Sequence, residues 1–435
     1  ADSEWLSAIC HMLSVICHLP SVMQGSHLRP DPNLPGLDMA WSPLQMAEFF
    51  NRSVLPATNF GQEVAEARFE RATYSPGREC SVVYLLLFGN PPQMASRCVV
   101  TFANNKKLEE AFTRHYQEGT ALKYPALYLP EYSCLVEFFP LDWKLPGLAR
   151  ALDPREMAGV FSEAGLVARN GKANSQPEIK VLAYFAHRRC VIHYRIGQSN
   201  GTRPTEMLGN LYTSGPLTWD VWRVMKAVHA QGSSVGLATP RPLAVVDNLL
   251  LMEWLPGVPL NHWLEDGEVL GQAGATIRLA AEALSKLHRL QIGRETMRWL
   301  ESDWDRHSKR ADKLHLVAPE LAGQVDAVQN EIKSRLDQTD SQPAVFLHGD
   351  YKAAQLLADG DRVSVVDFDR ASVGDPAIDV GNFMADLHRE AVMTGRETLR
   401  FLADYFLREY QACSSAPQDG LAKRARLMQS LALVR

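Results

Sequence analysis

The chain lacks three things: a surplus of positive charge, a long apolar run and any paired-cysteine pattern. Its 435 residues carry 45 Lys and Arg against 50 Asp and Glu, a formal net charge of −5 with a pI near 6.3. That balance leaves no electrostatic footprint for nucleic acid, whose binding needs clustered cations. No apolar stretch approaches the roughly 20 residues a membrane-spanning helix requires. The opening segment, residues 1–30, is fairly apolar from Trp5 to Val22, but His11, His18 and Pro20 interrupt it and it has no basic start. It reads as an amphipathic helix and not as a secretory signal. The seven cysteines stand at 10, 17, 80, 98, 134, 190 and 413, without metal-ligand spacing. Scattered and odd in number, they point to reduced thiols and a cytoplasmic setting. Hydrophobic residues make up 46% and charged residues 22%, ordinary for a globular protein and enough for two or three packed units.

An internal repeat is present. Asp31-Pro-Asn-Leu-Pro-Gly-Leu37 continues through Ala40, Pro43, Met46, Ala47 and Phe50; Asp142-Trp-Lys-Leu-Pro-Gly-Leu148 continues through Ala151, Pro154, Met157, Ala158 and Phe161. The offset is constant, 111 from position 31 to position 142. Downstream, Tyr74, Arg78, Cys80 and Tyr84 answer to Tyr184, Arg188, Cys190 and Tyr194 at offset 110, and Leu135 to Pro140 answers to Leu251 to Pro256 at offset 116. Three ordered blocks at nearly one spacing exceed the chance recurrence of turn words, so we read a duplicated unit of about 110 residues. Each copy reads as a Pro-Gly turn, a short helix, two strands (80–88 and 98–102, or 190–196 and 207–212), a helix (108–116 or 219–228) and a closing strand.

The densest chemistry lies between Val345 and Asn382. Two apolar runs, 345–347 and 363–366, each deliver an aspartate at their end, Asp350 and Asp367, around a break carrying Asp359, Gly360 and Asp361. We expect two short buried strands flanking a loop. Phosphoryl transfer asks for such an arrangement: one carboxylate to orient a hydroxyl, another with an amide oxygen to hold hard cations against the phosphates.

His348-x-Asp350-x-Lys352-x-x-Gln355, Asp367-Phe-Asp369 and Gly374-Asp375-Pro376-x-x-Asp379 occur in that order. Together they resemble the aminoglycoside phosphotransferase and choline-kinase branch of the protein-kinase-like fold. The resemblance implies an α+β, bilobal fold with a strand-rich N-lobe and a mostly helical C-lobe, here preceded by a second, degenerate N-lobe-like unit. It divides the chain into 1–30, a helical segment; 31–141, the degenerate repeat; 142–257, the N-lobe; and 258–435, the C-lobe. It implies ATP and Mg2+ as cofactors and transfer of a phosphoryl group to a hydroxyl of a sugar, aminoglycoside or amino alcohol. Asp350 would be the base, Lys352 would stabilise charge on the moving group, and Gln355 and Asp367 would hold metal. His348 would brace the loop and Asp379 would bond its backbone. Asp369 would add a metal contact or pair outward with Arg370. Glu253-Trp-Leu255-Pro-Gly257 resembles the hinge that bonds adenine. In the helical lobe, 277–290 has apolar residues at helical spacing, with His288 read as a packing residue. Helices are also expected at 307–314, 321–336, 383–388 and 398–410. The resemblance implies that the charged insert 304–336 shapes the acceptor pocket. Lys423, Arg424 and Arg426 read as a solvated face.

Two features depart from the pattern. Asn210 stands where the family keeps a strand lysine, with Thr101 in the first copy, and the usual glutamate partner falls near Asp220. No Gly-rich loop is present, and Arg188 and Arg189 either supply the missing charge or line a solvated strand edge. These departures leave a second class open, a pseudokinase that binds nucleotide or regulates without turnover. The sequence names neither the acceptor nor the oligomeric state.

Overall fold

The computed structural model describes residues 31–58, 61–89, 91–92, 94–116, 125–167, 176–197, 204–265, 270–317, 319–339, 344–415 and 419–433. The helix expected in residues 1–30 lies outside them. The chain forms two compact units, one ending at Trp219 and taking in Leu243–Met252, the other joining Asp220–Pro242 to Glu253–Arg435.

The first unit holds two five-stranded sheets. One contains β1 (Val64–Ser75), β2 (Glu79–Phe88), β3 (Met94–Ala103), β4 (Ala126–Leu129) and β5 (Cys134–Phe138); the other contains β6 (Glu178–Phe185), β7 (Arg189–Ile196), β8 (Thr205–Tyr212), β9 (Pro242–Val246) and β10 (Leu249–Glu253). Their orders match, β1-β2-β3-β5-β4 and β6-β7-β8-β10-β9. The repeat also recurs as hydrogen bonds. Tyr74 Oη donates to Asp31 Oδ2 at 2.8 Å, and Tyr184 Oη to Asp142 Oδ2 at 2.9 Å. The same two carboxylate oxygens take the turn amides of Gly77 and His187, at 2.7 and 2.8 Å. Tyr84 and Tyr194 each donate to a carbonyl, of Ala40 and Ala151. Each opening helix has proline in its first turn and a side-chain cap, Ser42 before Pro43–Phe49 and Asp153 before Pro154–Glu163. Each sheet covers its own core: Leu34, Met46 and Phe50 under the first, Leu145, Met157 and Phe161 under the second, the same positions 111 apart.

The second unit is mostly helical. Helices Leu270–His288, Leu300–Val317, Ala322–Leu336, Ala377–Thr394, Thr398–Cys413 and Leu421–Leu433 carry its core, and Ala377–Thr394 is buried along most of its length. No described helix is long and apolar enough to cross a membrane. Among the described residues, six short strands follow in chain order: β11 (Val258–Pro259), β12 (Met297–Arg298), β13 (Val345–Leu347), β14 (Leu356–Asp359), β15 (Arg362–Val365) and β16 (Ser372–Gly374).

One expectation is refined here and one is corrected. The runs 345–347 and 363–366 do form short strands, β13 and β15, but in different sheets: β13 pairs with β16, whereas β15 forms a hairpin with β14 through Gly360. Arg424 is not on a solvated face. It is 2% exposed, and its Nε donates to buried Asp375 Oδ2 at 2.8 Å. A fully buried carboxylate needs a paired charge, and this arginine supplies it.

Candidate active site

Past β13 the chain turns through His348-Gly349-Asp350. Gly349 takes φ +80°, and a Cβ there would meet Arg370 O at 2.1 Å, so only glycine fits. The turn is held from the helix behind it. Asp379, fully buried, accepts the His348 amide on Oδ2 at 2.7 Å and the Gly349 amide on Oδ1 at 2.8 Å. Its Oδ2 also takes His288 Nε2 at 3.2 Å, while His288 Nδ1 lies 2.7 Å from Tyr410 Oη. Burial alone would raise the Asp379 carboxyl, but the His288 hydrogen bond and charge, the nearby His348 and the Gly349 amide hold it below the usual carboxylate range. Two turns further along the same helix face, Asp386 accepts the Ala353 amide at 2.9 Å. One helix thus grips both ends of the loop. His348 completes the brace: Nε2 donates to Val366 O at 2.9 Å and Nδ1 accepts the Asp350 amide at 3.3 Å, tying β13's end to the chain entering Asp367.

Four of the residues singled out in the sequence meet in pairs. Lys352 Nζ lies 2.9 Å from Asp350 Oδ2, both side chains about a fifth to a third exposed. Gln355, in the single 3-10 turn Ala353–Gln355, donates Nε2 to Asp367 Oδ2 at 3.0 Å. Asp367 adopts φ +68°, a left-handed conformation uncommon outside glycine, asparagine and aspartate. Among the described residues no three His, Cys, Asp or Glu side chains converge as a metal cluster. One carboxylate and one amide are what Mg2+ takes from a protein when substrate phosphates and water supply its other oxygens, so the donor set fits that ion.

Of the hinge residues, Glu253 ends β10, with its amide donating to Arg241 O at 2.9 Å and its Oε2 accepting the Arg241 amide at 3.3 Å. Leu255 follows outside any strand or helix, half-buried. Asp220 is bound by Arg294 through two bonds of 2.8 and 2.9 Å, which lower its pKa.

Arg188, Arg189 and Asn210 belong to the other unit. Asn210 is buried on β8, its Nδ2 3.3 Å from Tyr212 Oη. Arg188 is exposed at the β6–β7 turn, and Arg189 lies with its guanidinium carbon 5.6 Å from the centre of the Phe185 ring. The tip of that turn packs on the first sheet. Ala186 joins Val83 and Val99, Arg71 lies over the Phe185 ring at 4.5 Å, and His187 sits 3.1 Å from Ser81 Oγ and 3.3 Å from Glu137 Oε2. Thr101, at the first copy's equivalent of Asn210, donates to Ser81 at 3.3 Å. His187 therefore covers the place where a cation would stand in the first copy.

Sequence reasoning missed Asp386, Arg298, Asp303 and His187. Asp386 could have been found from its seven-residue spacing to Asp379. His187 could have been found from the repeat, because it stands where Gly77 has φ +69° and itself takes φ +62°.

The arrangement is of the kind phosphoryl transfer asks for. Residues 220–419 match the model of a phosphotransferase enzyme family. The matched stretch contains the whole of 345–382, so the resemblance read from its motifs holds. No curated protein matches the chain. Among solved structures it is similar to a macrolide 2'-phosphotransferase of Brachybacterium faecium, at 17% identity over 63% of this chain and 89% of that one, TM-score 0.43. An aminoglycoside phosphotransferase of Streptomyces rimosus matches at 15% over 64% and 96%, TM-score 0.41. An ethanolamine kinase of Plasmodium vivax matches at 14% over 67% and 84%, TM-score 0.44.

Proposed function

We propose that the protein is a Mg2+- and ATP-dependent kinase that phosphorylates a hydroxyl of a small polar molecule: a sugar, an aminoglycoside or an amino alcohol. The observation that carries the reading is the pairing of Gln355 with Asp367 at 3.0 Å, on the loop whose Asp350 follows a turn clamped by Asp379. In this reading Asp350 orients the acceptor hydroxyl and accepts its proton. Lys352, 2.9 Å away, bears on the charge of the transferred group. Gln355 and Asp367 would hold Mg2+, which when bound neutralises phosphate charge. Glu253 and Leu255 contribute backbone groups toward adenine, with Arg188, Arg189 and Asn210 as the lid's candidates. The segment 31–141 acts as a structural lid copy that binds no nucleotide, since His187 covers the relevant face. The five described cysteines are free, in keeping with a reducing, cytoplasmic setting.

A second reading, nucleotide binding without turnover, is favoured by Asn210 in place of a strand lysine and by Asp220's engagement with Arg294. A screen of sugars, aminoglycosides and amino alcohols for acceptor-dependent ADP release, with phosphorus NMR of the product, tests the proposal. ADP release driven by one acceptor class supports it. Mg-ATP binding with no ADP release from any acceptor supports the second reading.

A further inference from the structure

We propose that Arg298 is a positioning residue for phosphoryl transfer: it fixes the peptide that presents Asp350 and ties it to the helix Leu300–Val317. The inference rests on the reading of Asp350 as the base.

Arg298 occupies the two-residue strand β12, parallel to β16, with Arg298 opposite Gly374. The two backbones touch so closely that a Cβ on Gly374 would lie 1.8 Å from Arg298 O. This contact sends the side chain toward the catalytic turn in a buried setting, 6% exposed. Nη1 donates to Gly349 O at 2.7 Å. Nη2 reaches both oxygens of Asp303 at 2.8 Å, and Asp303 is fully buried. Arg306, three residues on, is the second cation on Asp303, at 3.0 Å.

The Gly349 residue is thus held from both sides. Its amide goes to the Asp379 carboxylate at 2.8 Å and its carbonyl to the Arg298 guanidinium at 2.7 Å. The Gly349 carbonyl belongs to the peptide bond that begins Asp350, so its direction sets where the Asp350 side chain starts. The guanidinium also explains why no side chain is tolerated at 349, since a Cβ would lie 2.9 Å from Nη1. A planar fork suits this double role. One nitrogen serves the carbonyl while the other holds the carboxylate, and an ammonium could not do both in fixed geometry. Asp303 lies in the first turn of Leu300–Val317, the helix that runs on into the insert 304–336 expected to shape the acceptor pocket. Acceptor placement and base placement then share one rigid connection. Small misplacements of reacting groups cost rate far more than they cost ground-state binding.

The test uses full-length Arg298→Met, Arg298→Lys and Asp303→Asn. Three quantities are read: Mg-ATP affinity by calorimetry, ADP release with the acceptor found by screening and with water alone, and hydrogen exchange of the peptide spanning 348–355. Arg298→Met is expected to lower kcat on the order of tenfold or more, to leave the Mg-ATP Kd within about twofold, and to speed exchange at Gly349 and Asp350. Arg298→Lys is expected to recover part of the rate, by keeping one bond to Gly349 O. Asp303→Asn, of nearly the same shape, is expected to fall between. A folded Arg298→Met with wild-type kcat and unchanged exchange overturns the proposal, as does an equal loss of kcat and Mg-ATP affinity with unchanged exchange. Should Arg298→Met not fold, wild-type kcat in both other variants overturns it in the same way. Wild-type protein that neither binds Mg-ATP nor releases ADP overturns the functional reading itself, before any variant is made.

Discussion

Asp379→Asn removes one charge from the clamp behind the His348-Gly349-Asp350 turn and leaves its shape. The carboxylate takes two turn amides, at 2.7 and 2.8 Å, and His288 at 3.2 Å. Asparagine keeps one accepting oxygen and sets an NH2 group against the other amide. Leaving that buried N–H without an acceptor costs about 1–3 kcal/mol, and the remaining bonds lose the charge assistance that makes such contacts worth about 1.5–3 kcal/mol. The sum, about 2.5–6 kcal/mol, brackets the roughly 3–5 kcal/mol that breaking a buried charge pair costs, and the narrower range sets the expected loss. At about 2–4 °C per kcal/mol for a unit of this size, Tm should fall by roughly 6–20 °C at pH 7. The pH dependence has a definite sign. The folded-state pKa lies below the ordinary value of 3.8, so the stabilisation is present above that value and is lost as pH falls through the folded pKa. The Tm gap between wild type and Asp379→Asn should therefore be full at pH 5 to 7 and shrink in stronger acid. Differential scanning calorimetry across pH reads both. A gap under about 1 °C at pH 7, or one that widens on acidification, would refute the clamp.

Other outcomes follow from the same geometry. Asp350→Asn should cut turnover by a factor on the order of 100 or more while Mg-ATP binding persists, by ADP release beside calorimetry. Lys352→Met, which removes the 2.9 Å partner of Asp350, should lower kcat with little change in the KM for ATP; wild-type kinetics would leave Arg188 and Arg189 as the candidate cations. Gly374→Ala puts a Cβ 1.8 Å from Arg298 O and should cost about 3 kcal/mol or more in urea unfolding. Glu137 tests the opposite linkage. Burial pushes its carboxyl up despite the His187 hydrogen bond, so its stability cost begins above the ordinary value of 4.5 and grows as pH rises toward the folded pKa. Glu137→Gln should gain Tm relative to wild type on going from pH 4 to 7, and a gain that shrinks over that range would count against the assignment.

The candidate catalytic segment was legible because the chemistry proposed for it ties residue types to spacing over a short stretch. His348, Asp350, Gln355, Asp367 and Asp379 all lie within one run of 32 residues. The repeat was legible because turn and core residues recur at one offset, and the structure renders that offset as recurring hydrogen bonds from Asp31 and Asp142. Other features left no local trace. The strand β1 is mostly exposed, so its sequence shows no apolar face to count. The pairing of β13 with β16 joins segments 27 residues apart, and nothing in either names the other. Arg298 and Arg424 look like any surface arginine until Gly349 and Asp375, 51 and 49 residues away, are brought against them.

The central claim is that Asp367 and Gln355 hold Mg2+ for ATP on a loop whose Asp350 acts on a hydroxyl. The most direct measurement is Mg-ATP titration calorimetry of the wild type and of Asp367→Ala, with and without Mg2+. Binding should occur in the wild type, depend on Mg2+, and lose that dependence in Asp367→Ala. Mg2+-dependent binding that survives unchanged in Asp367→Ala, or no binding by the wild type, would contradict it.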